Sequence, residues 1–77
     1  MSQKHVDALG IQERVVQELA GMRSVNGIGV ACARDGRPFI RVNLTKEDRS
    51  VRLKVRQLSV RFSFPIRVRV AGMVRAS

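Results

Sequence analysis

The chain has one cysteine, Cys32, one histidine, His5, and neither tryptophan nor tyrosine. A single thiol cannot form an intramolecular disulfide, which excludes a small secreted scaffold held by cross-links and makes a cytoplasmic setting the expectation. Structural zinc wants four Cys or His ligands at paired spacings, and calcium loops want several carboxylates close together. Neither inventory exists, so no metal and no cofactor are expected. Nucleophilic or acid–base catalysis needs a nucleophile, a base to activate it and a third group to orient the base. His5 belongs to a polar terminus, residues 1–6, expected to be mobile, and Cys32 lies in an apolar stretch where a lone cysteine is ordinarily a small buried hydrophobe. Arg34 and Arg37 lower its pKa only if it is exposed. The expectation is a protein that is not an enzyme and has no small-molecule substrate.

Long apolar runs are also missing. Nowhere is an uncharged stretch long enough to span a bilayer, and Met1-Ser2-Gln3-Lys4-His5 has no apolar signal core. Membrane-surface attachment would want a basic helix with bulky apolar groups opposite, and the first helix is nearly charge-balanced, so it is not expected. Acidic residues are scarce: 6 Asp and Glu stand against 15 Lys and Arg, for a net charge of +9. No acid follows Asp48, whereas eight basic residues do: Arg49, Arg52, Lys54, Arg56, Arg61, Arg67, Arg69 and Arg75. A field of one sign over that length favours nucleic acid, an acidic protein face or anionic lipid as partner. A plain solvated surface accounts for such charge at least as well.

What is present is enough for one domain, residues 1–77: an apolar fraction of 44% is the globular average, and the core must be aliphatic because the only aromatics are Phe39, Phe62 and Phe64. From about Val6 to Met22, Leu9, Ile11, Val15, Val16, Leu19 and Met22 recur at helical spacing, with Asp7 as N-cap and Gly21 as stop. Gly27 to Ala33 alternates small and larger residues like a strand. Ile28, Val30 and Cys32 point one way, and Gly29, Ala31 and Ala33 would let the first helix approach the other side closely. Gly27-Ile28-Gly29 is not a dinucleotide fingerprint, because no third glycine opens a helix after it. Asp35-Gly36 supplies positive-φ residues for a tight hairpin turn, and Pro38 to Leu44 is the return strand. Its Ile40, Val42 and Leu44 share one face; Phe39, Arg41 and Asn43 share the other.

Thr45-Lys46-Glu47-Asp48 has the form of a helix start, a Thr followed three residues later by an acid. The following Val51 to Arg56 fits either a helix face, through Val51, Val55 and Leu58, or a strand, through its alternation. The cap decides for a short helix near 46–57. Phe62 to Val70 reads as a last strand, with Phe64, Ile66, Val68 and Val70 on one side and Arg67 and Arg69 on the other, Pro65 near its start or edge, Gly72 ending it and a short tail beyond.

Val25-Asn26-Gly27-Ile28-Gly29-Val30, then Asp35-Gly36-Arg37-Pro38 before an apolar strand, and Pro65 to Val70 with Gly72 together resemble a small bacterial α/β accessory domain found beside trypsin-like serine proteases or standing alone. Ser63 and Phe64 depart from that pattern, where a Gly and a Val or Ile precede the proline. The resemblance implies a helix, hairpin, helix, strand order and an accessory role, with no catalytic residues to transfer.

The expected fold is thus α+β: a two-layer sandwich of a three-stranded, largely antiparallel sheet with two helices on one face, in the order α-β-β-α-β. The other sheet face, with Phe39, Arg41, Arg67 and Arg69, and with Arg52, Arg56 and Arg61 nearby, is the candidate partner surface. It suits a protein partner or self-association, making the chain a non-enzymatic binding or assembly module. The alternative is nucleic-acid binding led by the phosphate backbone, since only Phe39 and Phe62 are available to stack on bases.

Overall fold

The structure is a computed structural model that describes the backbone of residues 3–71 and the side chains of residues 8–71. Residues 1–2, the side chains of residues 3–7, among them His5, and the tail 72–77 with Gly72 lie outside the description. The elements run α1 (Gln3–Leu19), β1 (Val25–Cys32), β2 (Pro38–Leu44), α2 (Arg49–Phe62) and β3 (Ile66–Val70). The α-β-β-α-β order and the α+β class are as the sequence predicts.

In α1 the buried stripe is Ala8, Val15 and Leu19, with Ile11 half-buried between them, a spacing of three or four residues that keeps one helix face on the sheet. Leu9 and Val16, expected to share it, are 62% and 44% exposed. Each follows a stripe residue by one position and so points about 100° further round the helix. Asp7 falls inside α1 rather than at its cap. Gly21, at φ 89°, takes the left-handed conformation that ends the helix as expected.

The hairpin forms at the expected residues with a different turn. Gly36 N–H donates to the Ala33 carbonyl and Ala33 N–H to the Arg37 carbonyl, both at 2.9 Å. Among the loop residues only Gly36 has positive φ, at 86°. This is a turn over Arg34 and Asp35 closed by a left-handed glycine rather than a two-residue loop with φ above zero twice. Asp35 serves it differently, its Oδ1 accepting from Arg37 N–H at 3.0 Å.

The second helix starts at Arg49, later than the expected 46. Its N-cap is Asp48, not Thr45: the Asp48 backbone is extended, and its Oδ1 accepts from the N–H groups of Ser50 at 3.0 Å and Val51 at 3.3 Å. Both residues are good caps, and Asp48 is the one that stands directly before the stripe Val51, Val55, Leu58, all buried. The helix then runs on to Phe62, which is half-buried against the core rather than in a strand. Ser63 closes it in the left-handed conformation, φ 49° and ψ 46°. Phe64 N–H reaches back to the Ser59 carbonyl at 3.2 Å, and Ser59 Oγ donates to the Phe64 carbonyl at 2.7 Å. That closure turns the chain sharply into β3, so the last strand begins at Ile66.

The sheet order is β1-β2-β3. β1 and β2 pair antiparallel, with a bulge at Asn26 between the Val25 and Gly27 rungs. β3 pairs parallel to β2, Ile40 beside Ile66 and Leu44 beside Val70, because α2 carries the chain back to the starting end of β2 before β3 begins. The central strand β2 supplies Ile40, Val42 and Leu44, all fully buried. Against them lie Val15 and Leu19 of α1 and Val51, Val55 and Leu58 of α2, with Ile28, Val30, Ile66 and Val68 from the flanking strands. Both helices therefore cover one face of the sheet. In β1 they cover the Ile28 and Val30 side, not the small-residue side: a Cβ on Gly29 would meet no atom within 4 Å. Large apolar side chains attract the helical layer by the area they bury, and this outweighs the closer approach that small residues permit.

Candidate functional site

The register of the sheet decides what the uncovered face presents. Gly27, Gly29 and Ala31 of β1 stand opposite Asn43, Arg41 and Phe39 of β2, and Arg41 and Asn43 stand opposite Arg67 and Arg69 of β3. Side chains alternate across a strand, so these residues all lie on the side away from the helices. Three arginines thus gather on one edge half of the face, beside a strip of β1 that is nearly bare backbone.

Phe39 is the one aromatic on this face, and it is not free to stack on a ligand. It is 5% exposed. The Arg67 guanidinium carbon sits 4.5 Å from its ring centroid and that of Arg41 5.5 Å. Both guanidiniums lie over the ring, where the negative face of the aromatic system attracts a cation. The expected apolar component of the surface is therefore roofed by its cationic component. Phe62, the other candidate for stacking, packs against the core from α2.

The charge is sorted between the two layers. None of the three strands contains Asp or Glu, so every described carboxylate belongs to a helix or a loop. Glu18 of α1 takes Lys54 at 3.3 Å and Arg61 at 3.7 Å, both from α2. Glu47 accepts from Arg52 through Nε to one oxygen and, at 2.9 Å, through Nη2 to the other. That hydrogen-bonded pairing holds the Glu47 carboxyl below its usual range and raises the Arg52 guanidinium above its own. Asp35 takes Arg37 at 3.4 Å. Arg41, Arg67 and Arg69 have no carboxylate partner among the described residues.

The sequence grouped Arg52, Arg56 and Arg61 with the sheet arginines. The structure separates them: they ride on α2, whose buried face packs on the far side of the sheet, and Arg52 and Arg61 are engaged by acids. Cys32 is exposed rather than buried. It stands opposite Pro38 on the last rung of the hairpin, past Val30, the last residue of β1 that reaches the core.

A further polar site was not anticipated. Ser24, 3% exposed in the connection before β1, donates from Oγ to Asp48 Oδ2 at 2.5 Å, and its carbonyl accepts from Thr45 N–H at 2.9 Å. The Ser24 hydroxyl, more than the Val51 and Ser50 N–H groups, holds the Asp48 carboxyl below the ordinary aspartate range, against the partial burial that would raise it. This site ties α2 to the start of β1 and is structural. Among the described residues no three His, Cys, Asp or Glu side chains are grouped to hold a metal ion, and no helix is long and apolar enough to cross a membrane. Comparison with protein-family models, with curated proteins and with solved structures finds no match to this chain.

Proposed function

We propose that the chain is a non-enzymatic binding module that takes an anionic partner on the open face of its sheet. The carrying observation is the grouping of Arg41, Arg67 and Arg69 on a surface that holds no carboxylate among the described residues, with Arg41 and Arg67 directly opposite one another. Like charges opposite one another in a sheet are unfavourable, and an anion seated between them offsets the repulsion. Arginine is suited to the task because its planar fork donates two parallel hydrogen bonds to a carboxylate or phosphate. Phe39 supports the reading by fixing the first two guanidiniums over one ring. A second copy of the chain docked face to face would bring six guanidiniums together, so self-association through this surface is disfavoured. An accessory role of the kind the sequence resemblance implies is compatible with such a module.

The test is charge-matched. One variant carries Arg41→Gln, Arg67→Gln and Arg69→Gln, and the other carries Arg52→Gln, Arg56→Gln and Arg61→Gln, so both lose the same net charge. Binding of inorganic polyphosphate is measured by calorimetry at fixed, moderate salt. The sheet variant is expected to lose binding and the helix variant to keep most of it. An equal loss in both would mean that only net charge matters and would overturn the proposal.

A further inference from the structure

The chemistry of the open face also selects the kind of anion, and this step rests on the reading just given. A protein partner of this size class is held by a desolvated apolar anchor at the centre of the contact, with charges at its rim. This face has the opposite build. Among the described residues its one large apolar group, Phe39, is already buried under Arg41 and Arg67, and what remains outward is three guanidiniums, one amide, the Ala31 methyl and the bare backbone of Gly27 and Gly29. Affinity here must come from charge, as it does when a protein tracks a phosphodiester backbone.

The layout across the sheet adds a second argument. Arg67 and Arg69 lie two residues apart on β3, about 6.6 Å along the strand, so their charges form a line rather than a point. Arg41 extends that line inward by one strand. Beyond it lie Gly29, directly opposite Arg41, and Gly27, opposite Asn43, where no side chain rises from the surface. A ligand with anionic groups along one side and flat uncharged groups along the other fits this division; a simple polyanion uses only the arginine side.

We infer that the partner is a single nucleic-acid strand, its phosphates along Arg67, Arg69 and Arg41 and its sugars and bases over the bare strip of Gly27, Gly29 and Ala31. The aromatic platform usual for sheet readers is missing from this face, since Phe39 lies under Arg41 and Arg67 and Phe62 packs against the core. Sequence preference is correspondingly weak, because the base edges meet backbone and one asparagine.

Fluorescence anisotropy with a labelled single-stranded oligonucleotide tests this, beside a hairpin duplex, inorganic polyphosphate and polyglutamate of matched charge. Saturable single-strand binding is expected, with a salt slope of about −2 for three phosphates neutralised, so that a fourfold rise in salt weakens it about 20-fold. The deciding variant is Gly29→Val. Its side chain enters open space, and the Gly29 backbone needs no positive φ, so the fold and all charges are kept. It is expected to weaken the oligonucleotide at least several-fold and to leave polyphosphate unchanged; Gly29→Ala is expected to fall between, and a circular dichroism melt confirms folding of each. Polyglutamate bound as tightly as the oligonucleotide, duplex preferred over single strand, or Gly29→Val without effect on the oligonucleotide would each overturn the nucleic-acid assignment while leaving the anion site standing. Loss of polyphosphate binding in the sheet variant is the separate readout for the site itself.

Discussion

Replacing Ser24 with alanine removes a single hydroxyl from a site 3% exposed, where Oγ donates to Asp48 Oδ2 at 2.5 Å. The smaller side chain fits, and the cap of α2 survives, because Ser50 and Val51 donate to the other carboxylate oxygen. The lost interaction is one intramolecular hydrogen bond whose acceptor stays within reach of water, which sets the cost of Ser24→Ala near the ordinary net value, about 1 kcal/mol. For a domain of this length that lowers the melting temperature by about 4–8 °C. The pH dependence is the sharper part. Asp48 has a folded pKa below its unfolded one, chiefly because of Ser24. Between the two values the unfolded chain binds more protons, so stability rises with pH there; the contribution is complete above the unfolded pKa and is lost as pH falls through the folded one. Ser24→Ala returns the folded pKa toward the ordinary aspartate value, and the variant therefore has less to lose in acid. Urea unfolding at neutral pH and at about pH 2, below the ordinary aspartate range, should show the gap between the two proteins narrowing. The Glu47 and Arg52 pair is common to both and cancels. A gap of constant size across that range, or none at neutral pH, would refute the role given to the Ser24 hydroxyl.

Two other substitutions test the cap and the roofed ring. Ser63→Gly relieves an L-residue held at φ 49°, a strain of about 1–2 kcal/mol partly cancelled by the greater freedom of glycine when unfolded, so a net gain of about 0.5–1 kcal/mol is expected in urea melts; a loss would show that the Ser63 side chain contributes something beyond its backbone conformation. Phe39→Leu keeps apolar bulk but removes the ring face, and a double-mutant cycle with Arg67→Gln should return a coupling of about 0.5–1 kcal/mol, the value of one exposed cation–π contact; additive effects would mean that the guanidinium merely lies near the ring.

Much of this fold is legible because its strands alternate cleanly. In β2 the division of Ile40, Val42 and Leu44 from Phe39, Arg41 and Asn43 follows from period two alone, and the same holds for Arg67 and Arg69 in β3. β1 misleads because both of its faces are apolar, and only contact with the helices shows that Ile28 and Val30 are the inner set. The start of α2 misleads because Thr45 and Asp48 are both good caps, and Asp48 is the one that stands directly before the buried stripe of Val51, Val55 and Leu58. The burial of Phe39 is the least accessible from sequence: its cover comes partly from Arg67, 28 positions away, and only the parallel pairing of β3 brings the two together. The candidate site was therefore readable as a set of outward arginines, but not as a layer distinct from Arg52, Arg56 and Arg61, which ride on a helix whose side of the sheet is a matter of packing.

The bulge at Asn26 and the charges of β3 also bear on how the molecule behaves in a crowd. A foreign strand laid along β1 loses step with its hydrogen-bonding partner where the extra residue interrupts the ladder. One laid along β3 meets Arg67 and Arg69, so neighbouring copies repel each other along that border. Neither border invites continued growth, and the bulge and the arginines both work against neighbouring copies linking edge to edge into fibrils.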